Sequence, residues 1–282
     1  MSEAPPAPAA PTAPAAPTAP AARKSPRSTI PATVALNLQT GEITGSDRIL
    51  IFGTGGIGKS TAAAYLPAPM FLDLEGSTRR MNVLRDTALD WEELRGKLAS
   101  IATAPPEGVR SLVLDTATVA EELAKEYVID TRRTEKGHKV DSIEGFPWGK
   151  GWQFVYDEYC ALFADLDRIV AKGLNVCIIA HDVNSPVPNP AGEDYIRWEP
   201  HLYRGDKNGR GSIRDHAKQW ADHVVFIGYD VYTEDGKGQG TGTRSIYTQE
   251  LPTHVAKSRS KQITMPFDIS DPGAVWRELG IE

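Results

Sequence analysis

The chain has 282 residues, of which 40% are hydrophobic, and a formal net charge of −6. That length suits one large domain or two small ones, with enough apolar residues for a sizeable core. Apolar runs such as Val176 to Ala180 fall far short of the ~20 residues that cross a bilayer, the start lacks a signal-peptide stretch, and the acidic balance excludes a surface that attracts nucleic acid everywhere.

Residues 1 to about 29 form a low-complexity Ala/Pro tract holding eight of the 21 prolines and almost no large apolar side chain. Such a segment cannot bury enough surface to offset its ordering entropy, so a disordered, partly extended tail is expected. With a linker it runs to residue 46, and one domain is predicted over 47–282. Short apolar runs there alternate with helical patterns, which implies an α/β fold: a mostly parallel sheet flanked by helices. Arg48 to Phe52 reads as a strand, Lys59 to Leu66 as a short helix stopped by Pro67, and Met70 to Leu74 as a second strand. Asp90 and Glu93 form a capping box. The helix behind it puts Trp91, Leu94, Leu98 and Ile101 on one stripe.

Ser111 to Asp115 is a third strand, followed by a helix to about Ile129. Residues 131–150 are polar and read as a loop. Trp152 to Val170 is a long amphipathic helix, and Leu174 to Ala180 a buried strand. Residues 184–211 carry Pro, Gly and charge with little periodicity, and read as a long functional or mobile loop. Ser212 to Ala221 looks helical. Val224 to Gly228 and Arg244 to Thr248 look like strands around a Gly-rich hairpin. Cys160 and Cys177 sit in apolar contexts, as reduced core residues of a cytoplasmic protein would.

Gly53-Thr54-Gly55-Gly56-Ile57-Gly58-Lys59-Ser60, with Thr61 following, satisfies the phosphate-loop pattern between a strand and a helix. Its glycines let backbone N–H groups point at phosphate oxygens, and the helix adds its positive end. Lys59 would reach the β and γ phosphates of ATP, and Ser60 would ligate Mg²⁺. Gly53, Gly55 and Gly58 also spell a dinucleotide-binding loop, with Asp73 placed as a ribose-binding acid. That rival leaves Lys59-Ser60 and Asp115 unexplained. Asp115 ends an apolar strand, where it would hold Mg²⁺ through its water shell beside Ser60. Asp73 and Glu75 alternate at another strand end and are expected on one side; Glu75 is the candidate to orient or deprotonate the attacking water, with Asp73 in support. His181, at the tip of the strand over Asn175 to Asp182, could sense the γ phosphate.

The strand tips FGTGGIGKST (52–61), FLDLEGST (71–78), SLVLDTAT (111–118) and NVCIIAHD (175–182), in this order, resemble those of RecA-like P-loop NTPases. The likeness is greatest to the phage AAA-type nucleotide-binding proteins of that class, the single-strand annealing ATPases. WADHVVFIG (220–228) is similar to their later strand, and the likeness spans residues 48–262. The resemblance implies a catalytic glutamate at Glu75, a γ-phosphate sensor at His181, and a Lys-x-Arg element at Lys257 and Arg259 by which one subunit of a homo-oligomer reaches its neighbour's ATP. It implies action on single-stranded DNA in recombination or annealing, in the bacterial cytoplasm. His181 departs from the Gln usual in RecA, and the two loops match nothing.

Single-strand binding needs cations and aromatic faces. The first loop offers Arg132, Arg133, Lys136, Lys139 and Lys150 with Phe146 and Trp148. The second offers Arg197, Arg204, Lys207 and Arg210 with Tyr195, Trp198 and Tyr203. A nucleotide or small-molecule kinase with 184–211 as a basic lid, and a nucleotide-gated binding module, fit the same motifs.

Overall fold

A computed structural model describes residues 45–281 together with 38, 40 and 41, except 208–210, 235, 236, 262 and 264. The segment expected as a disordered tail, residues 1–29, lies outside these, as does Arg210. Six strands run parallel: β1 (Arg48–Phe52), β2 (Pro69–Asp73), β3 (Leu84–Asp86), β4 (Ser111–Asp115), β5 (Asn175–Ala180) and, towards one edge, β8 (His223–Glu234). Their spatial order is β8-β1-β5-β4-β2-β3. The strand β9 (Lys237–Tyr247) pairs antiparallel with β8, and β11 (Phe267–Asp268) with β9. The short β10 (Lys257–Ser258) pairs with the start of β8.

Alternation along the central strands decides what covers each face. Leu50, Phe52, Leu72, Leu112, Leu114, Val176 and Ile178 enter one apolar cluster. There they meet α2 (Trp91–Thr103), α3 (Ala117–Thr131), α4 (Lys150–Val170) and α5 (Ile213–Trp220). Ile49, Ile51, Phe71, Val113, Cys177 and Ile179 point the other way, to α1 (Lys59–Ala63) and α6 (Ala274–Leu279). A sheet buried on both faces needs near-continuous apolar strands, and β4 and β5 are buried throughout. Asp90 caps α2 by accepting from the Glu93 amide, and Glu93 accepts from the amide of Leu89, one residue before the cap.

Two expectations need correction. Residues 184–211 are not one irregular loop: β6 (Asp182–Val187) and β7 (Tyr195–Pro200) form an antiparallel hairpin starting directly after His181. Polar residues alternate with Pro186 and Ile196 there, so no apolar run marks a strand. Trp198 donates from its amide to the Thr253 carbonyl and accepts from the Val255 amide, mooring the hairpin to the segment that precedes β10. Residues 131–150 contain two short 3₁₀ turns, Ile143–Gly145 and Pro147–Gly149. Phe146 between them is 2% exposed and packs edge-on against Phe154. It is a core residue and cannot stack on a base.

The helix α6 went unforeseen because six residues show little periodicity. Its Trp276 is fully buried and donates from Nε1 to the Ala62 carbonyl of α1 at 2.8 Å. Trp276→Ala should therefore lower stability by about 3–5 kcal/mol, the usual loss for emptying a buried aromatic site. Urea titration checks this, and a loss below about 1 kcal/mol would show that α6 is peripheral.

Candidate nucleotide site

The loop between β1 and α1 turns sharply under its own glycines. Gly53 has φ 156°, and a Cβ there would lie 2.3 Å from the Ile227 carbonyl of β8. Gly56 (φ 72°) and Gly58 (φ 116°) also occupy left-handed backbone. Around Gly55 and Gly56 the space is open, a cradle that side chains would fill. Ile57 is fully buried and pins the loop from beneath, while Arg244 of β9 donates to its carbonyl at 3.0 Å. The cleft above is about 420 Å³ and brings together Gly55 to Thr61, Glu75, Asp115 and His181.

Lys59 is buried and donates to the carbonyls of Gly53 (2.8 Å) and Thr54 (2.9 Å). Burial lowers its pKa from the ordinary value, against the pull of Asp182, Asp115 and Glu75. A partly desolvated ammonium beside open loop backbone is suited to a phosphate. At the end of β4, Asp115 Oδ2 accepts from Ser60 (2.6 Å) and from Ser77 (2.7 Å). Burial pushes its carboxyl pKa up; the two hydroxyls act downwards, and the charges of Asp73 and Glu75 add to the rise. One carboxylate flanked by hydroxyls fits Mg²⁺, which takes few protein ligands and completes its shell with phosphate and water. No cluster of three or more His, Cys, Asp or Glu residues that could hold a metal ion occurs among the described residues.

Asp73 and Glu75 do not share a side, because β2 ends at Asp73 and the alternation ends with it. The Asp73 carboxylate turns under the following loop and accepts from the amides of Gly76 (2.7 Å), Ser77 (3.1 Å) and Thr78 (3.0 Å), and from the Thr78 hydroxyl (2.6 Å). It is neither a ribose ligand nor a second base; it folds the turn that presents Glu75. Glu75 Oε1 lies 2.9 Å from His181 Nε2 at the mouth of the cleft. His181 is held in turn by the Thr118 hydroxyl on its amide (3.1 Å) and the His201 amide on its carbonyl (2.8 Å).

Ser77 and Thr118 were not singled out from sequence. Ser77 lies two residues beyond Glu75 and Thr118 three beyond Asp115, and a hydroxyl close to a strand-tip carboxylate was the available signal. Lys257 and Arg259 do not enter the cleft of their own chain. Lys257 Nζ donates to the Lys218 carbonyl (2.6 Å), and Arg259 donates to Asp222 (2.9 Å) and to the Gln219 carbonyl (2.8 Å), all around the end of α5.

A glycine loop carrying Lys59 and Ser60, faced by a strand-tip carboxylate on a parallel sheet, defines a P-loop nucleotide-binding fold. A family model described as an AAA domain matches residues 46–260, and the chain belongs to that family. No curated protein matches the sequence. The match ends before α6, so Trp276 lies beyond it.

Burial would raise the Asp73 pKa, but the bonds from Thr78, Ser77 and Gly76 outweigh it and hold the carboxyl below 3.8. A depressed carboxylate pKa contributes stability above the unfolded value, and that contribution fades as pH falls through the folded one. Asp73→Asn should thus cost about 1–3 kcal/mol at pH 7, with the gap to the native protein narrowing below about pH 3.8. Denaturant melts across that range check it; a gap that does not change with pH would contradict the assignment.

Proposed function

We propose that the chain is an ATPase that binds ATP with Mg²⁺, hydrolyses it by in-line water attack, and acts on single-stranded DNA in phage-type recombination or annealing. The observation that carries the reading is the meeting of Glu75 and His181 at 2.9 Å over the Lys59, Ser60 and Asp115 cleft. A carboxylate for the water and a donor for the γ phosphate stand together there. Lys59 exchanges the carbonyls of Gly53 and Thr54 for the phosphates. Ser60 and Asp115 would hold the metal, which when bound would neutralise charge on the phosphates. As His181 turns to the γ phosphate it releases Glu75 to orient water.

Support for a single strand comes from the resemblance of the strand tips, from the segment 131–150, and from the hairpin that follows His181. Trp148 is 92% exposed on left-handed backbone (φ 62°), in the same segment of chain as the exposed Lys136 and Lys139. An exposed Trp in that conformation is uncommon, and an exposed indole in a segment that also carries cations suits base stacking. The hairpin presents Ile196 and Trp198 on one face. Its other face lines a hollow with Arg197, Arg204, Arg214 and Lys218 against Glu199 and Asp215. Some candidates are already engaged: Arg132 with Glu158, Lys150 with Glu135, and Tyr203 stacked on Trp152. In this reading the chain assembles as a homo-oligomer with ATP at the subunit interface, and Lys257 and Arg259 leave α5 to reach the neighbour's nucleotide.

ATP turnover measured with single-stranded DNA, with double-stranded DNA and without DNA tests the whole reading. The expected result is stimulation by single strands and a fall of at least about 100-fold in turnover for Glu75→Gln with ATP still bound, in the range for a general base. Unchanged turnover in Glu75→Gln would remove Glu75 from the chemistry, and indifference to DNA would remove the strand.

A further inference from the structure

Next to the phosphate cleft lies a second cavity, of about 450 Å³, which the nucleotide reading leaves unused. Its walls are Trp198 from the hairpin, Phe226 and Tyr229 from β8, and Tyr247 from β9, and Thr54 and Asp182 close the end nearest the phosphate loop. Trp198 is 38% exposed and Tyr229 54% exposed, so both rings are open to a ligand. Behind them His254 packs 4.7 Å from Phe226 and 4.6 Å from Tyr247. Burial lowers the His254 pKa to about 4, against the Gln249 carbonyl that raises it, so the ring is neutral at physiological pH.

No lysine or arginine is among the residues lining this cavity. It is therefore shaped for something flat and uncharged rather than for phosphate. Among its polar groups are the Asp182 carboxylate and the hydroxyls of Thr54 and Thr253, which can accept hydrogen bonds from N–H groups. Aromatic walls with a few acceptors at one end suit a heteroaromatic ring bearing an amino group. The cations lie on the opposite face of the same hairpin, where Ser185 and Arg197 line the hollow with Arg204 and Lys218. A base on one side and phosphates on the other match this division of charge.

We propose that this cavity holds a nucleobase of the bound single strand, stacked against Trp198 and Tyr229 with its amino edge towards Asp182. The inference rests on the single-strand reading above and gives it a site. The base belongs to the strand and not to ATP. Asp182 follows His181, the residue assigned above to the γ phosphate, and Thr54 lies in the phosphate loop, so the cavity opens beside the terminal phosphate. The walls also touch the chemistry: Thr54 lends its carbonyl to Lys59, and Asp182 adjoins the residue that holds Glu75. Filling the cavity would report directly to the ammonium and to the base.

The test is fluorescence anisotropy of two labelled oligonucleotides of equal length and charge, one with ordinary bases and one with abasic sugars. The native protein is expected to prefer the base-bearing strand by about tenfold or more. In a Trp198→Ala, Tyr229→Ala double variant that ratio should fall towards one, while Tyr229→Phe, which keeps the ring, should retain it. Equal binding of both strands by the native protein overturns the pocket but leaves strand binding standing, and so does a double variant that keeps the native ratio. No binding of either strand at low salt defeats the single-strand reading and the pocket with it. A double variant that changes only the sedimentation of the protein overturns the proposal in favour of a contact with a second copy.

Discussion

One oxygen atom, Asp115 Oδ2, ties three strand tips together. Ser60, opening the helix after β1, and Ser77, in the turn after β2, both donate to it. Asp115 itself ends β4, so the loop, the turn and the strand are fixed relative to one another by two short bonds. A buried carboxylate is costly unless it is paired or hydrogen-bonded, and this one is flanked by the charges of Asp73 and Glu75. The two hydroxyl donors offset part of that cost, and a divalent cation held there would relieve the same repulsion. Sheet order makes this possible. With β5 between β1 and β4, His181 emerges between the phosphate loop and Asp115, opposite the turn that carries Glu75.

The parts of the fold that were legible in the sequence are those where one local force dominates. Central strands buried on both faces must be apolar throughout, and β1, β4 and β5 lie within a residue of where their runs place them. The glycine loop was legible because its backbone tolerates few other residues: Gly53 presses on the Ile227 carbonyl at a distance no Cβ could share. Stripe and cap together located α2.

What was not legible depends on tertiary contacts. Asp73 and Glu75 look like neighbours on one side of a strand, yet the strand stops between them because four donors in the next turn capture Asp73. Local hydrogen bonding overrode the period of two. The hairpin at 182–200 carries polar residues and prolines because one of its faces packs on a cation-lined hollow rather than a core. Phe146 looked like an exposed aromatic in a basic loop; packing against Phe154 put it inside. Lys257 and Arg259 sit on β10 and beside it, and nothing local reveals that their side chains turn to the carbonyls at the end of α5.

The seat of α6 against α1 ties the phosphate loop to a distant part of the sequence. The face of α1 that carries Ala62 and Ala63 is covered by Val275, Trp276 and Leu279. Lys59 opens this helix, and Trp276 grips the Ala62 carbonyl three residues further on, across a separation of 214 residues. A disturbance at α6 would therefore be passed to the lysine of the loop through a single turn of helix.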